Sequence, residues 1–336
     1  MTEEPLAPWL QRQLTQLLQQ RGHALLLVGP AGLGQYPLAL ALARAWLCEQ
    51  PGEEGSACGH CPSCHAIDVR THPDLHVLMP EVLALELGWP LDERTQDKIN
   101  KKEIKASKQI RVDATRQAVA FTQTTRSRGN TKVVLVYPAE ALNLESANTL
   151  LKTLEEPPGE VRFILATEAA HSLLPTIRSR CLSHTMHWPT TDEALPWLVT
   201  QTPQQRSGDI AVWWQAAGQR PEATARWLEL NLPAQHWHQL PRALAGGDFS
   251  AMQTWGVARQ MDVLQKLCHD LMCQQAGAVP RFFDPADLPV APPWPALLQW
   301  HHWLRQAAST LEHPFSAALM QEAWANRTAQ VWHTHA

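Results

Sequence analysis

Lys132-Val133-Val134-Leu135-Val136, then Tyr137-Pro138-Ala139-Glu140-Ala141-Leu142-Asn143, then Leu144 to Glu156, Pro157-Pro158 and Val161 to Ala166, lead to Ser179-Arg180-Cys181. The first five residues read as an apolar strand. Asn143 can cap a helix over Leu144–Glu156, which Pro157-Pro158 ends, and Val161 to Ala166 is a second apolar run. Strand, helix, strand and helix within one short stretch predict a parallel α/β core. Leu144, Ala147, Leu150, Leu151 and Leu154 recur at helical spacing and mark the face expected to bury against the sheet.

The chain has 336 residues, enough for two or three domains, and its 45% hydrophobic and 18% charged content is ordinary for a soluble globular protein. A formal net charge of −4 argues against a protein that grips nucleic acid over its whole surface and leaves only local contact. No apolar run reaches bilayer length, and Met1-Thr2-Glu3-Glu4-Pro5 lacks the order of a signal peptide. A cytoplasmic protein is expected, in which clustered cysteines point to metal rather than disulfides. Most of the fifteen Trp residues lie beyond position 187. They read as packing residues of helices, the alternative being a stacking surface for bases.

Working outward toward the amino terminus, Trp9, Leu10, Leu14, Leu17 and Leu18 predict an amphipathic helix over about 8–20, and Ala24 to Val28 a short buried strand. Gly29-Pro30-Ala31-Gly32-Leu33-Gly34-Gln35-Tyr36 then stands where a phosphate-binding loop would. Such a loop needs glycines so that backbone N–H groups can cradle phosphates, a Lys for the β- and γ-phosphates, and a Ser or Thr for magnesium. Gly29 and Gly34 have the right separation, but Gln35 stands at the Lys position and Tyr36 at the hydroxyl position. Either the glycines only make a strand-to-helix turn, or they bind nucleotide weakly through backbone amides.

Cys48 is followed by Cys58, Cys61 and Cys64 at two-residue gaps, a spacing that lets sulfurs converge on a tetrahedral ion. Zinc held by the four thiolates is expected in a structural role. An iron–sulfur cluster and free thiols are the alternatives, although Asp68 fills the slot where a ferredoxin pattern has its fourth Cys. His60, His65 and His72 lie close enough to compete as a ligand. A strand over Leu75–Met79 follows. The connection 80–110 is highly charged, and its basic run predicts a solvated, mobile loop, the alternative being contact with DNA phosphates or a partner. Asp113 is placed to cap a helix running to about Thr124.

Beyond His187-Trp188-Pro189-Thr190 the patterns are helical: about 192–200, 207–216 and 220–229, then 234–245, 249–275, 294–310 and 315–332, with a Pro-rich connection at 278–295. The stripe Met261, Leu264, Leu267, Cys268, Leu271 and Met272 reads as a core face. Cys181, Cys268 and Cys273 read as buried small hydrophobes.

Asn148-Thr149-Leu150-Leu151-Lys152-Thr153-Leu154-Glu155-Glu156-Pro157-Pro158 and Ser179-Arg180-Cys181 resemble, in that order, the AAA+ subunits of bacterial clamp loaders, which open sliding DNA clamps. The resemblance is specific over the first 190 residues and loose beyond. It implies an AAA+ P-loop-type parallel sheet domain at 1–188 with an inserted zinc module near 48–64 and the charged insertion 80–110, a three-helix lid at 189–231, and a helical collar that joins subunits at 232–336. Active relatives follow the second strand with Asp-Glu, where this chain has Tyr137 and Pro138. Thr167 takes the place of a γ-phosphate sensor, and Arg220 lies near that of a sensing arginine. By the same resemblance, Arg180 is an arginine finger given in trans to ATP held by a neighbour, the alternative being a surface salt bridge beside a strand over Leu182–Trp188. The implied protein is a non-hydrolysing ring subunit. It would partner gamma/tau-type ATPase and delta-type clamp-opening subunits, and reach the clamp and primer-template DNA through the complex. An active motor-type ATPase and a zinc-dependent DNA-binding module are the rival readings.

Overall fold

The strands Ala24–Val28 (β1), Leu75–Leu78 (β2), Lys132–Val136 (β3), Val161–Thr167 (β4) and Leu182–Thr185 (β5) form one parallel sheet in the order β2-β3-β4-β1-β5. β1, β3 and β4 are buried almost throughout, which is why they read as continuous apolar runs rather than alternating ones. This is a computed structural model, and it describes residues 6–202, 204, 206–311 and 316–333. Residues 1–5, on which the reading of a leader rests, lie outside the described residues, as does position 315, where the last predicted helix begins. The chain divides into two compact units, Met1–Glu193 and Ala194–Ala336.

In the first unit the helices are α1 (Pro8–Leu18), α2 (Gln35–Leu47), α3 (Pro62–Asp68), α4 (Glu81–Leu87), α5 (Glu93–Asn100), α6 (Val112–Gln123), α7 (Leu144–Glu155) and α8 (Pro175–Arg178). Leu26, Val134, Val136, Phe163 and Leu165 form one core with Ala118 of α6, Ala147, Leu150 and Leu154 of α7, and Ile177 of α8. α2 packs against β1, β3 and β4. Val28 pairs with Thr167 and Val136 with Leu165, which brings the carboxyl ends of β1, β3 and β4 to one edge. In open parallel sheets that edge is where ligand crevices form.

The cap on α7 is as expected: the Asn143 side chain accepts from the Ser146 N–H at 2.8 Å. Leu144 departs from expectation, being 64% exposed, because the first turn of α7 leaves its side chain outside the core that Ala147, Leu150 and Leu154 fill. Asp113 is not a cap. Arg111 holds that position without a side-chain bond, and Asp113 sits in the first turn of α6, 3.1 Å from Arg116. The other end of α6 is closed by a residue read only as a strand start. The buried Lys132 ammonium donates to Phe121 O at 2.7 Å, to Thr124 O at 3.0 Å and to the Thr124 hydroxyl. A cation at a helix carboxyl end meets the negative pole of the peptide dipoles.

The insertion is a loop only in part, from Lys101 to Arg111. Glu81–Leu87 and Glu93–Asn100 are helices: Gly88 ends the first in a left-handed turn at φ 71°, and Asp92 caps the second by accepting from the Thr95 N–H at 3.0 Å. Solvation was read correctly, since α5 has no buried residue.

The helix Thr191–Gln201 (α9) leads into the second unit. There follow α10 (Ser207–Ala216), α11 (Pro221–Leu228), α12 (Gln235–Ala245), α13 (Val257–Gln275), α14 (Trp294–Ser309) and α15 (Ala317–His333), with no strand among the described residues. The tryptophans pack as expected. Trp213 stacks on Trp227 at 5.4 Å, Trp237 stacks on Phe283 at 4.5 Å, and Trp255 meets Trp227 edge-on. Indole N–H groups buried this way need acceptors: Trp213 donates to Leu232 O and Trp237 to Phe282 O. The core stripe of α13 holds at Met261, Leu264, Leu267, Cys268 and Leu271, all buried, while Met272 at its end is half-buried. Asp270, fully buried, accepts from the N–H groups of Arg281, Phe282 and Phe283, pinning the Pro-rich connection to α13.

Candidate functional site

α2 carries a candidate site at each end. Its amino end meets the loop Gly29–Gly34, whose Gly34 has φ 93° and would bring an added Cβ within 2.6 Å of Leu10. Glycine is required there by both conformation and space. The Gln35 side chain, 1% exposed, turns back into the loop and donates to Gly29 O at 2.9 Å and Pro30 O at 2.8 Å. Where a lysine would offer a cation to phosphate, an amide binds the loop's own carbonyls.

Tyr36 is engaged by two aromatic residues. Its hydroxyl accepts from the Trp89 indole N–H at 2.6 Å, and its ring lies 5.5 Å from that of Tyr137. The Tyr137 hydroxyl donates to Glu168 at 2.8 Å. Thr167 donates to Glu140 at 2.7 Å, and Glu140 also accepts from the Glu168 N–H at 3.0 Å. The structure therefore gathers Gly29, Gly32, Gly34, Gln35, Tyr36, Tyr137, Pro138 and Thr167 at the carboxyl edge of the sheet, where Gln35 bonds backbone carbonyls and Tyr36, Tyr137 and Thr167 bond Trp89, Glu168 and Glu140. Trp89, Glu140 and Glu168 were missed from sequence. Trp89 comes from the insertion, 53 positions from Tyr36, with no local signal of the pairing.

At the carboxyl end of α2, Cys48 joins Cys58, Cys61 and Cys64, with all four sulfurs within 4.8 Å of one another. Four thiolates at about 2.3 Å from one tetrahedral ion would space their sulfurs by about 3.8 Å. Cys48 and Cys61 stand 3.8 Å apart. Backbone N–H groups point at the sulfurs: Cys58 at Cys48 and Cys61 at Cys58, both 3.3 Å, and Cys64 at Cys61, 3.4 Å. Burial pushes the Cys64 thiol up to about 12. Burial also acts upward on Cys61, but the N–H groups of Cys64 and Glu49 outweigh it and bring that thiol down to about 6. The donor set could hold a metal ion, and the competing histidines stand outside it. His72 is engaged by Ser63 at 3.1 Å and by the Asp74 N–H at 3.0 Å, and His60 bonds Cys58 O. Around the cluster, Arg44 pairs with Asp68 at 2.8 Å and Ser63 donates to Glu49 at 2.7 Å. These supports belong to tertiary packing and left no spacing in the sequence.

Arg180 lies apart from both, in the turn after α8. One guanidinium nitrogen donates to Thr176 O at 2.8 Å and another meets Glu155, the last residue of α7, at 2.5 Å. Its side chain keeps 28% of its surface. Ser179 donates to Thr176 O, and burial raises the Cys181 thiol to about 12. Arg220, in the second unit, caps its own turn through Ala217 O at 3.2 Å.

A family model described as DNA polymerase III, delta subunit, matches residues 4–189. The chain is 40% identical to the DNA polymerase III subunit delta' of Pseudomonas aeruginosa over 59% of its own length and 54% of the relative's. It is 32% identical to the same subunit of Escherichia coli over 77% of its length and 76% of that protein's. The match thus spans about half of the first relative and three quarters of the second. A solved structure of a DNA polymerase III gamma subunit-related protein from Thermotoga maritima is similar at 13% identity with a TM-score of 0.48, covering 95% of this chain and 98% of that one.

Proposed function

The chain belongs to the DNA polymerase III delta' family, and from that premise we propose that it is a non-hydrolysing clamp-loader subunit that lends Arg180 to a neighbour's ATP. The observation that carries the reading is the closed corner at the amino end of α2. Gln35 binds the loop's own carbonyls and Tyr36 is bonded to Trp89, so the lysine and hydroxyl positions offer no cation and no magnesium ligand, and the carboxylates nearby, Glu168 and Glu140, are engaged by Tyr137 and Thr167. Hydrolysis needs a cation, a magnesium ligand and a base.

Arg180 keeps part of its surface and is held only by one carbonyl and one half-exposed carboxylate. A guanidinium so held can exchange Glu155 for a phosphate, with the same bidentate chemistry. The ring would be assembled with gamma/tau-type ATPase and delta-type clamp-opening subunits, and act on the sliding clamp at primer-template DNA. Residues 189–231 would serve as the lid and 232–336 as the collar. The four cysteines would hold one structural zinc, because four protein thiolates leave no position for a reacting water. Among the described residues no helix is long and apolar enough to cross a membrane, which fits a cytoplasmic role.

The test mixes this chain with its organism's ATPase subunit, clamp-opening subunit, clamp and primed DNA, and follows ATP hydrolysis with wild type and with Arg180→Ala. The chain alone should be inert, and the variant should lower the complex's rate by 10-fold or more at unchanged assembly. Hydrolysis by the chain alone would return it to the motor class; an unchanged rate with the variant would leave only a scaffold.

A further inference from the structure

Between Arg94 and Arg111 the chain places seven basic residues against Asp97 and Glu103, a local charge of +5 in a protein of net charge −4. The remainder therefore carries a net charge of −9, against which this segment is a local excess of positive charge. α5 is capped by Asp92, and the segment after it is fastened to α4. The Val82 N–H donates to Ser107 O at 3.2 Å, the Ser107 N–H to Glu81 at 2.8 Å, and Arg111 pairs with Glu81 at 2.8 Å. Glu81 neutralises Arg111 and no more. Arg94, Lys98, Lys101, Lys102 and Lys105 are exposed, and none has an ion-pair partner among the described residues.

Local stability does not explain this arrangement. The peptide dipoles favour Lys98 and Lys101 at the carboxyl end of α5, but they disfavour Arg94 in its first turn and do not reach Lys105. Arg94, Lys98 and Lys101 follow one another at four and three residues, which sets them along one face. Residues 90–111 include no aromatic residue, and Ile99 and Ile104 are half-buried, so the face lacks the apolar centre of a protein–protein interface. At physiological ionic strength charges are felt over about 8 Å, so the acidic remainder does not cancel this patch for a ligand in contact with it.

We propose that the face made by Arg94, Lys98, Lys101, Lys102 and Lys105 docks the phosphate backbone of duplex DNA without regard to base sequence. This is independent of the role given to Arg180. Folded support means that little ordering is needed on contact, and the absence of rings removes any stacking advantage for a single strand.

The experiment is fluorescence anisotropy of a labelled 20-base-pair duplex with the full chain, between 50 and 200 mM salt. Wild type should bind with log K falling about 4 units per decade of salt, as four to five phosphate contacts require. The variant K98A/K101A/K102A/K105A, checked by circular dichroism, should lose about 3 of those units and bind at least 10-fold more weakly at 50 mM. The fourfold Lys→Arg variant should keep the wild-type slope. The proposal is overturned if wild type does not bind at 50 mM, if the alanine variant binds equally, or if a single strand of the same length binds 10-fold more tightly. Unchanged DNA binding with loss of a protein partner from the reconstituted complex would also overturn it, assigning the face to an acidic protein surface.

Discussion

The two ends of α2 differ in where their polar atoms are spent. At the amino end, the Gln35 amide N–H groups and the hydroxyls of Tyr36, Tyr137 and Thr167 have found partners inside the protein, while Gln35 Oε1 is buried without one. At the carboxyl end, four sulfurs converge within 4.8 Å and accept from backbone N–H groups, an arrangement that could hold a metal ion. The two ends thus differ in the fate of their polar atoms, a difference that a motif's resemblance to its pattern does not report.

The difference can be tested from the larger effect downward. Replacing both Cys61 and Cys64 by Ser should abolish bound zinc, read by atomic absorption. It should also lower stability by at least about 3 kcal/mol in urea, part of the 10–16 kcal/mol that zinc gives isolated fingers. Equal stability with and without metal would erase the contrast. Acid should act on the body of the unit separately, and the zinc-free variant isolates that effect. Burial on β2 lowers the His76 imidazole to about 4. The unfolded chain therefore takes up a proton first as pH falls below about 6.5. Stability is full above that pH and lost progressively down to about 4, by up to about 3 kcal/mol. His76→Phe should flatten the profile over that window.

The closed corner makes smaller claims. Gly34→Ala should cost about 1–3 kcal/mol, since its φ of 93° and the 2.6 Å approach of Leu10 both resist a Cβ. If the substitution is neutral, the glycine is not there for shape. Trp89→Phe should cost about 1 kcal/mol by removing the indole donor to Tyr36, and should leave the chain's thermal midpoint as indifferent to ATP and magnesium as before. A midpoint that rises with nucleotide in wild type would show the corner to be open.

What could be read in the sequence was what neighbours in the chain decide. The cysteine spacing, the Asn143 cap and the strand runs are local chemistry, and each appears where expected. The seal of Trp89 over Tyr36, the Lys132 cap on α6 and the hold of Glu81 on residues 107–111 join positions 8 to 53 apart, and polar partners at such distances leave no periodicity. The insertion misled for a related reason. Its helices rest on caps at Gly88 and Asp92 rather than on an apolar stripe, so a charge run outweighed two turn signals. Leu144 shows the converse: the right spacing puts a residue on a face but does not guarantee that the face extends beneath it.

The indoles make this molecule a two-channel optical reporter. Eleven of its fifteen lie in the second unit, where Trp213, Trp227, Trp237 and Trp255 are in ring contact, so excitation is shared and emission chiefly follows that half. Trp46, under the Arg162 guanidinium at 4.8 Å, stands two residues before Cys48. Were the four cysteines to hold cobalt, Trp46 is the indole beside it along the chain, and its quenching would report that the ion is bound.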